Sequence, residues 1–130
     1  MKSEKKKPTV FIVEDNEFHL RLARDLLEAH GMRVLHSPTP AEAMKLIEMS
    51  KPDLIIMDLS LKEANGLEIV KKLKENPKTS DIPVVALTAH ATKRDEANAR
   101  AAGCNDFIVK PINTRLFPKQ IIDNLKASES

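Results

Sequence analysis

The sequence is short of the residues that several classes of protein require. Its 130 residues include 1 cysteine, 3 glycines, 4 phenylalanines and neither tryptophan nor tyrosine. One cysteine cannot form an intramolecular disulfide, and no group of cysteines and histidines has zinc-site spacing, which favours a reducing compartment. No apolar run approaches the roughly 18 residues that a membrane span requires. We therefore expect a soluble, cytoplasmic protein that does not interact with membranes.

The charge balance argues against one class of partner. Lysine and arginine total 21 against 19 aspartates and glutamates, which gives a formal net charge of +2. The basic residues are scattered along the chain and do not alternate with aromatic residues, as a groove for single-stranded nucleic acid would require. We therefore expect no nucleic-acid partner.

Length and composition predict one folded domain. A chain of 130 residues can bury one core, with little left over for a second. The lysine-rich start predicts a basic disordered tail over residues 1–8, and residues 127–130 are expected to form a second short tail. The domain itself is expected over residues 9–126.

Five apolar segments alternate with helix-forming segments and indicate an α/β protein. Apolar runs without polar alternation are typical of strands that are covered on both faces. The predicted strands are Thr9–Val13, 32–36, Leu54–Asp58, Val84–Thr88 and Asp106–Val109. The predicted helices begin after the turn at Asn65-Gly66 and after potential caps at Asn16, Thr39, Thr92 and Asn113. Such alternation favours a five-stranded parallel sheet flanked by five helices.

Two of the predicted helices have unusual features. The apolar face of the fourth is mostly alanine, at Ala97, Ala101 and Ala102. It buries little area, so this helix should be held less firmly than the others. In the last helix, counted from a cap at Asn113, Pro118 falls where an amide donor is needed. We expect an irregular first turn there.

Polar and charged side chains follow four of the five predicted strands. They are Glu14 and Asp15 after the first strand, Asp58 at the end of the third, Thr88 at the end of the fourth and Lys110 after the fifth. Ligands of open α/β sheets bind outside the carboxyl ends of the strands, so these side chains form the candidate site. If the first and third strands are neighbours, the acids lie close together. Each pair of charges at ~4 Å then repels by about 4 kcal/mol at an effective dielectric near 20.

A cation is needed to offset this repulsion. Lys110 supplies one positive charge, and Mg²⁺ is the natural second because it prefers carboxylates, carbonyls and water as ligands. A site with a hard cation and a lysine suits a phosphoryl group, with Asp58 as the nucleophile. Glu14 or Asp15 taken singly is explained at least as well as a helix cap or a first-turn acid.

Together, these residues resemble the response-regulator receiver domain. The matching motifs are Glu14-Asp15, Met57-Asp58, Leu87-Thr88-Ala89 and Lys110-Pro111, in the order and spacing of that family from about Thr9 to Leu125. The resemblance implies the flavodoxin-like strand order 2-1-3-4-5. It points to a single-domain regulator of the chemotaxis or cell-division type.

The resemblance also implies a chemistry. Asp58 is expected to accept a phosphoryl group from a phosphohistidine on a histidine kinase or a phosphotransfer protein. Asp15, Asp58 and the backbone carbonyl of Ser60 are expected to hold Mg²⁺, with Mn²⁺ as an alternative. Glu14 is expected to act through a water molecule.

A switch is implied next to this site. Lys110 would pair with a phosphoryl oxygen, and in the family the bond between Lys110 and Pro111 is usually cis. Thr88 would move to hydrogen-bond the phosphoryl group, and Phe107 would turn inward behind it. The readout face would be the fourth helix, the fifth strand and the fifth helix, which would control a downstream protein target.

One position departs from the family pattern, and others are expected to set the rate of dephosphorylation. Lys62 stands where many receivers have proline, which leaves the conformation of the loop after Asp58 open. The dephosphorylation rate is expected to be tuned by Ser60, Ala89 and His90. We interpret the remaining histidines as surface or strand-edge residues, at positions 19, 30 and 36.

Three functions stay open on the sequence alone. The first is a stand-alone receiver that acts as a monomer or weak dimer through contacts with other proteins. The second is a receiver that belongs to a hybrid histidine kinase or a larger regulator. The third is a flavodoxin-like enzyme, although Glu14 and Asp15 would repel a phosphate placed after the first strand without a metal. An aspartyl phosphatase usually has a second aspartate two residues after the nucleophile, and here that residue is Ser60.

Overall fold

The computed structural model describes residues 7–37, 39–62 and 64–129. Five strands alternate with five helices along these residues. The strands are β1 (Thr9–Val13), β2 (Arg33–Ser37), β3 (Leu54–Asp58), β4 (Val84–Thr88) and β5 (Asp106–Val109). The helices are α1 (Glu17–Ala29), α2 (Pro40–Ser50), α3 (Gly66–Glu75), α4 (Lys93–Ala102) and α5 (Phe117–Glu129).

The strands form one parallel sheet in the order β2-β1-β3-β4-β5. This confirms the strand order that the family resemblance implied. β1 and β3 are direct neighbours, with Val13 opposite Met57, and β4 follows, with Leu87 opposite Asp58. The residues after β1 and at the ends of β3 and β4 therefore meet at one edge of the sheet.

Two apolar layers cover the sheet. Phe11 and Val13 of β1 point to one face, which packs against α2, α3 and α4, whereas Val10 and Ile12 point to the other face, which packs against α1 and α5. Every residue of β3 and β4 is buried. Because both faces are covered, these strands are apolar nearly throughout, and Asp58 is the only charged residue in either of them.

Two of the sequence predictions about helices need correction. In α4, Ala99 and Ala102 are buried, whereas Ala97 and Ala101 are exposed. The prediction was right for Ala102 and wrong for Ala97 and Ala101, because residues 99 and 102 share one side of the helix and residues 97 and 101 share another. The inference that α4 buries little apolar area still holds, since its fully buried apolar side chains are two alanines.

The last helix begins later than predicted. Residues 114–116 form a turn, and Asn113 Oδ1 accepts hydrogen bonds from the amides of Arg115 and Leu116 at 2.9 and 3.1 Å. α5 then begins at Phe117, so Pro118 lies in the first helical turn, where its missing amide costs no helical hydrogen bond. The irregular turn is present, but Asn113 caps this turn and not α5. β2 is also displaced by one residue from its predicted range of 32–36, to Arg33–Ser37.

Gly66 sets the distance between the start of α3 and the end of β3. A Cβ atom on this residue would lie 2.8 Å from the carbonyl oxygen of Asp58 and 2.8 Å from Leu59 Cα. Both are backbone atoms, so the contact cannot be relieved by turning a side chain. The close approach of α3 to the backbone of Asp58 therefore requires glycine.

We predict that Gly66→Ala destabilises the protein by about 1–3 kcal/mol, the usual range for overpacking. Helix propensity alone would favour alanine at this position, so the sign of the effect tests the close contact. Gly31→Asn is the control, because Gly31 has a φ of +86° and a Cβ atom on it would meet no other atom within 4 Å. Urea unfolding should show a smaller loss for that variant, and a Gly66→Ala protein as stable as wild type would contradict the prediction.

Candidate functional site

Three carboxylates meet at the carboxyl edge of the sheet. Glu14 and Asp15 follow β1, and Asp58 is the last residue of the neighbouring β3. One ligand-type oxygen from each lies within 4.8 Å of the others. Glu14 and Asp58 are each only 2% exposed, and Asp15 is partly buried. The acids therefore converge as their positions after adjacent strands predict.

Lys110 lies between two of these acids. Its Nζ atom donates to Glu14 Oε1 at 3.0 Å and to Asp58 Oδ2 at 3.2 Å. β5 brings the lysine here, because its backbone amide donates to the carbonyl of Thr88 at 2.7 Å and continues the pairing with β4. Its bond to Pro111 is cis. One ammonium thus partly offsets the charge of two buried carboxylates.

Burial changes the protonation of Glu14. Loss of solvent, together with the neighbouring Asp58, raises the pKa of this carboxyl to about 7. The ammonium of Lys110 and the amide of Asn16 act in the opposite direction and lower this pKa. Burial is therefore the main reason that Glu14 holds its proton more tightly than an exposed glutamate does.

Lys110 also contacts His19, which is exposed, as the sequence interpretation expected. The Nδ1 atom of His19 lies 3.2 Å from Lys110 Nζ. The ammonium only donates, so this contact is a hydrogen bond when Nδ1 is the ring nitrogen without a proton. Asn16 Oδ1 caps α1 by accepting from the His19 amide at 2.9 Å, which places this residue in the first turn beside the acids. The sequence feature that could have indicated this contact is the position of His19 in the first helical turn after Asp15.

The loop after β3 donates backbone hydrogen bonds to the acids. The Ser60 amide donates to Asp58 Oδ1 at 2.9 Å, and the Lys62 amide donates to Asp15 Oδ2 at 2.8 Å. The sequence left the conformation of this loop open, and nothing in the residue types indicated the second contact. Glu63 of the same loop lies outside the described residues.

The remaining predicted residues lie around this centre. Thr88 is buried at the end of β4, and its Oγ1 accepts from the His90 amide at 3.1 Å. Ala89 and His90 are exposed just beyond it. Phe107 on β5 is half-buried and packs against the apolar layer shared by α3 and α4.

The donor set fits a hard divalent cation. Carboxylate oxygens are the ligands that Mg²⁺ and similar ions prefer, and none of the three clustered residues offers the sulfur or imidazole ligands typical of zinc. Glu14, Asp15 and Asp58 are therefore the residues that could hold the ion.

Comparison with known sequences identifies the family. The family described as the response regulator receiver domain matches residues 10–122. The chain belongs to the response regulator receiver family. The polar-differentiation response regulator DivK of Brucella anthropi is 44% identical over 113 residues, which is 87% of this chain and 92% of that protein. The DivK of Brucella ovis matches with the same identity and coverage.

Solved structures of receivers share the fold. The signal receiver domain of a histidine kinase from Syntrophus aciditrophicus superposes with a TM-score of 0.83 at 29% identity and covers 92% of this chain and 91% of its own. The phosphorylated cyanobacterial phytochrome response regulator RcpA gives 0.79 at 27% identity, covering 95% and 96%. A CheY-like receiver from Methanospirillum hungatei gives 0.86 at 24% identity, covering 95% and 97%.

Family membership defines the class of activity. Receivers are modules of two-component signalling, not classical enzymes, and they work with histidine kinases and downstream targets. They bind a divalent metal at an acidic pocket, and the cluster of Glu14, Asp15 and Asp58 fits this metal and phosphorylation site. Among the described residues, no helix has both the length and the apolar character needed to cross a membrane.

We predict that Glu14 makes the metal-free protein less stable as the pH rises. Its folded pKa of about 7 lies above the ordinary 4.5, so the folded state holds a proton that the unfolded state releases. The free energy of unfolding should therefore fall between about pH 5 and pH 8. In EDTA, urea unfolding of wild type should lose about 1–3 kcal/mol more than Glu14→Gln over that range.

The exposed Glu17 provides the matched control for this measurement. Glu17→Gln should keep the pH dependence of wild type, because its side chain is outside the buried cluster. A Glu14→Gln protein with the same pH dependence as wild type would show that Glu14 keeps its ordinary acidity in the folded protein.

Proposed function

We propose that this receiver accepts a phosphoryl group on Asp58 from a histidine kinase or a histidine phosphotransfer protein, in a reaction that requires Mg²⁺. The observation that carries the proposal is the environment of Asp58. Its carboxylate is 2% exposed, ends a central strand, lies 3.2 Å from Lys110 Nζ and shares a cluster with two further acids. Among the described residues, no other group of three acidic side chains lies this close together.

The proposed reaction is a transfer between two side chains. A carboxylate oxygen of Asp58 forms the new bond to phosphorus as the bond between phosphorus and the donor histidine nitrogen breaks. The electron pair of that bond stays on the imidazole nitrogen of the donor. Asp15, Asp58 and the carbonyl of Ser60 would hold Mg²⁺, with Glu14 acting through a water molecule and Mn²⁺ as an alternative ion. When bound, the ion supplies charge neutralisation for the phosphoryl oxygens.

Lys110 would change partners during this reaction. In the present arrangement its ammonium is divided between Glu14 and Asp58. A phosphoryl group on Asp58 carries about −1.5 to −2 charge at neutral pH in place of the single charge of the carboxylate, which makes its oxygens stronger acceptors for the ammonium than Glu14. The lysine would then report phosphorylation to β5, the strand that precedes it.

The output would be a change in the α4-β5-α5 face. Thr88 would move toward the phosphoryl group, and the half-buried Phe107 would turn inward. The fully buried apolar side chains of α4 are two alanines. Moving this helix therefore costs little free energy of apolar burial. The downstream target would be a protein, and the name of the Brucella relatives favours a role in polar differentiation.

Further features of the proposal come from the sequence. The receiver would occupy residues 9–126, with the end of α5 continuing to Glu129, in a cytoplasmic protein that is monomeric or weakly dimeric. Ser60, Ala89 and His90 would set the rate of dephosphorylation. A second candidate is a receiver that belongs to a hybrid kinase, which is supported by the similarity to the receiver domain of the Syntrophus histidine kinase. A flavodoxin-like enzyme is the least supported alternative.

We predict that acetyl phosphate with Mg²⁺ labels wild type at one residue and leaves Asp58→Asn unlabelled, because the amide is not a nucleophile for this transfer. Intact-mass spectrometry measures the added phosphoryl group. Asp53→Asn is the control, since Asp53 lies at the opposite end of the sheet and accepts from the Thr9 amide. Labelling should also stop in EDTA. Equal labelling of Asp58→Asn and wild type would assign the phosphoacceptor to another residue.

We predict that Lys110→Ala can still be phosphorylated but does not transmit the change to α4. The nucleophile remains, whereas the link from the phosphoryl group to β5 is lost. Hydrogen exchange of α4 and β5 amides, with and without acetyl phosphate, measures the response. Lys119→Ala, at an exposed lysine of α5, should respond as wild type does. The same exchange response in Lys110→Ala would contradict the proposed role of this lysine.

A further inference from the structure

We propose that the backbone amide of Lys62 positions Asp15 for metal binding, so that the metal site and the loop between β3 and α3 are coupled. The inference rests on the proposed function, because it takes Asp15 as a metal ligand. What it adds is a positioning role for one backbone amide of this chain.

The contact joins two loops that are distant in the sequence. The Lys62 amide donates to Asp15 Oδ2 at 2.8 Å across a separation of 47 residues. A hydrogen bond of this length from an amide to an ionised carboxylate is among the stronger hydrogen bonds in proteins. The loop after β3 and the loop after β1 are therefore connected directly at the acidic cluster.

The hydrogen bond leaves Asp15 able to bind a cation. A carboxylate has two oxygens with about four acceptor positions, so an amide on Oδ2 leaves Oδ1 for a metal. The same contact restricts rotation of the side chain, which reduces the entropy lost when the carboxylate coordinates the ion. Outer contacts of this kind orient metal ligands, and their loss typically weakens metal binding by about 10–100-fold.

The rest of the loop supports this arrangement. Ser60, two residues before Lys62, donates its own amide to Asp58 Oδ1 at 2.9 Å. Between them, Leu61 is 8% exposed and packs in the apolar layer beside α3. The loop thus inserts one side chain into the core and presents amides on either side of it to two of the clustered carboxylates.

The amide and the side chain of Lys62 have different environments, so their effects can be tested separately. The side chain is exposed, whereas the amide makes the contact with Asp15. Proline lacks the amide hydrogen, and many receivers have proline at this position, so the fold accommodates it. Alanine keeps the amide and removes the same positive charge. Lys62→Pro and Lys62→Ala are therefore a matched pair that differ in the hydrogen bond.

The first test is a calorimetric Mg²⁺ titration of wild type and both variants. Lys62→Ala should bind Mg²⁺ within about twofold of wild type, and Lys62→Pro should bind about 10-fold more weakly. Equal affinities for Lys62→Pro and Lys62→Ala would overturn the inference. A wild type that binds no Mg²⁺ would instead contradict the proposed function itself, so the two failures are distinguishable.

A second measurement does not depend on how Lys62→Pro folds. Amide hydrogen exchange of the metal-free protein, followed by NMR, should show protection at Lys62 that is lost in Asp15→Ala. Protection at Ser60, whose amide is bonded to Asp58, should be retained in that variant. A Lys62 amide that exchanges at the rate of an unprotected peptide in wild type, or stays protected in Asp15→Ala, would overturn the inference.

Discussion

The concentration of negative charge at one edge of the sheet is the constraint on which the site depends. Glu14, Asp15 and Asp58 offer oxygens within 4.8 Å of one another, and two of these residues are almost fully buried. Charges at such distances repel by several kcal/mol unless they are compensated. Lys110 provides part of the compensation. Burial, followed by the contact with Asp58, raises the pKa of Glu14 to about 7. The cluster is thus prepared for a cation and a phosphoryl group.

The fold assembles this cluster with backbone geometry as much as with side chains. The parallel order of the sheet makes β1 and β3 neighbours, and glycine at position 66 lets α3 approach the backbone of Asp58. The Lys62 amide donates to Asp15, and His19 in the first turn of α1 contacts Lys110, so two further elements reach the site. Elements from most of the chain therefore contact the acidic cluster or lie directly beside it.

The sequence was sufficient for the sheet and the acids because both follow from simple patterns. Uninterrupted apolar runs indicate covered strands, and acids directly after them must lie at the sheet edge. The contact from Lys62 could not be predicted, since every residue except proline carries an amide. Two of the three alanines assigned to the buried face of α4, Ala97 and Ala101, are exposed, because several alanines at similar spacing look alike in sequence. The start of α5 was misplaced because Asn113 caps a turn as readily as it caps a helix.

The most direct test of the phosphoryl site is a crystal structure with Mg²⁺ and beryllium trifluoride, a mimic of the phosphoryl group. We expect the metal on Asp15, Asp58 and the Ser60 carbonyl, and the fluoride group on Asp58. We also expect Lys110 to turn from Glu14 to a fluorine atom. A fluoride group bound elsewhere, or a Lys110 that keeps its contact with Glu14 beside an occupied Asp58, would contradict this mechanism.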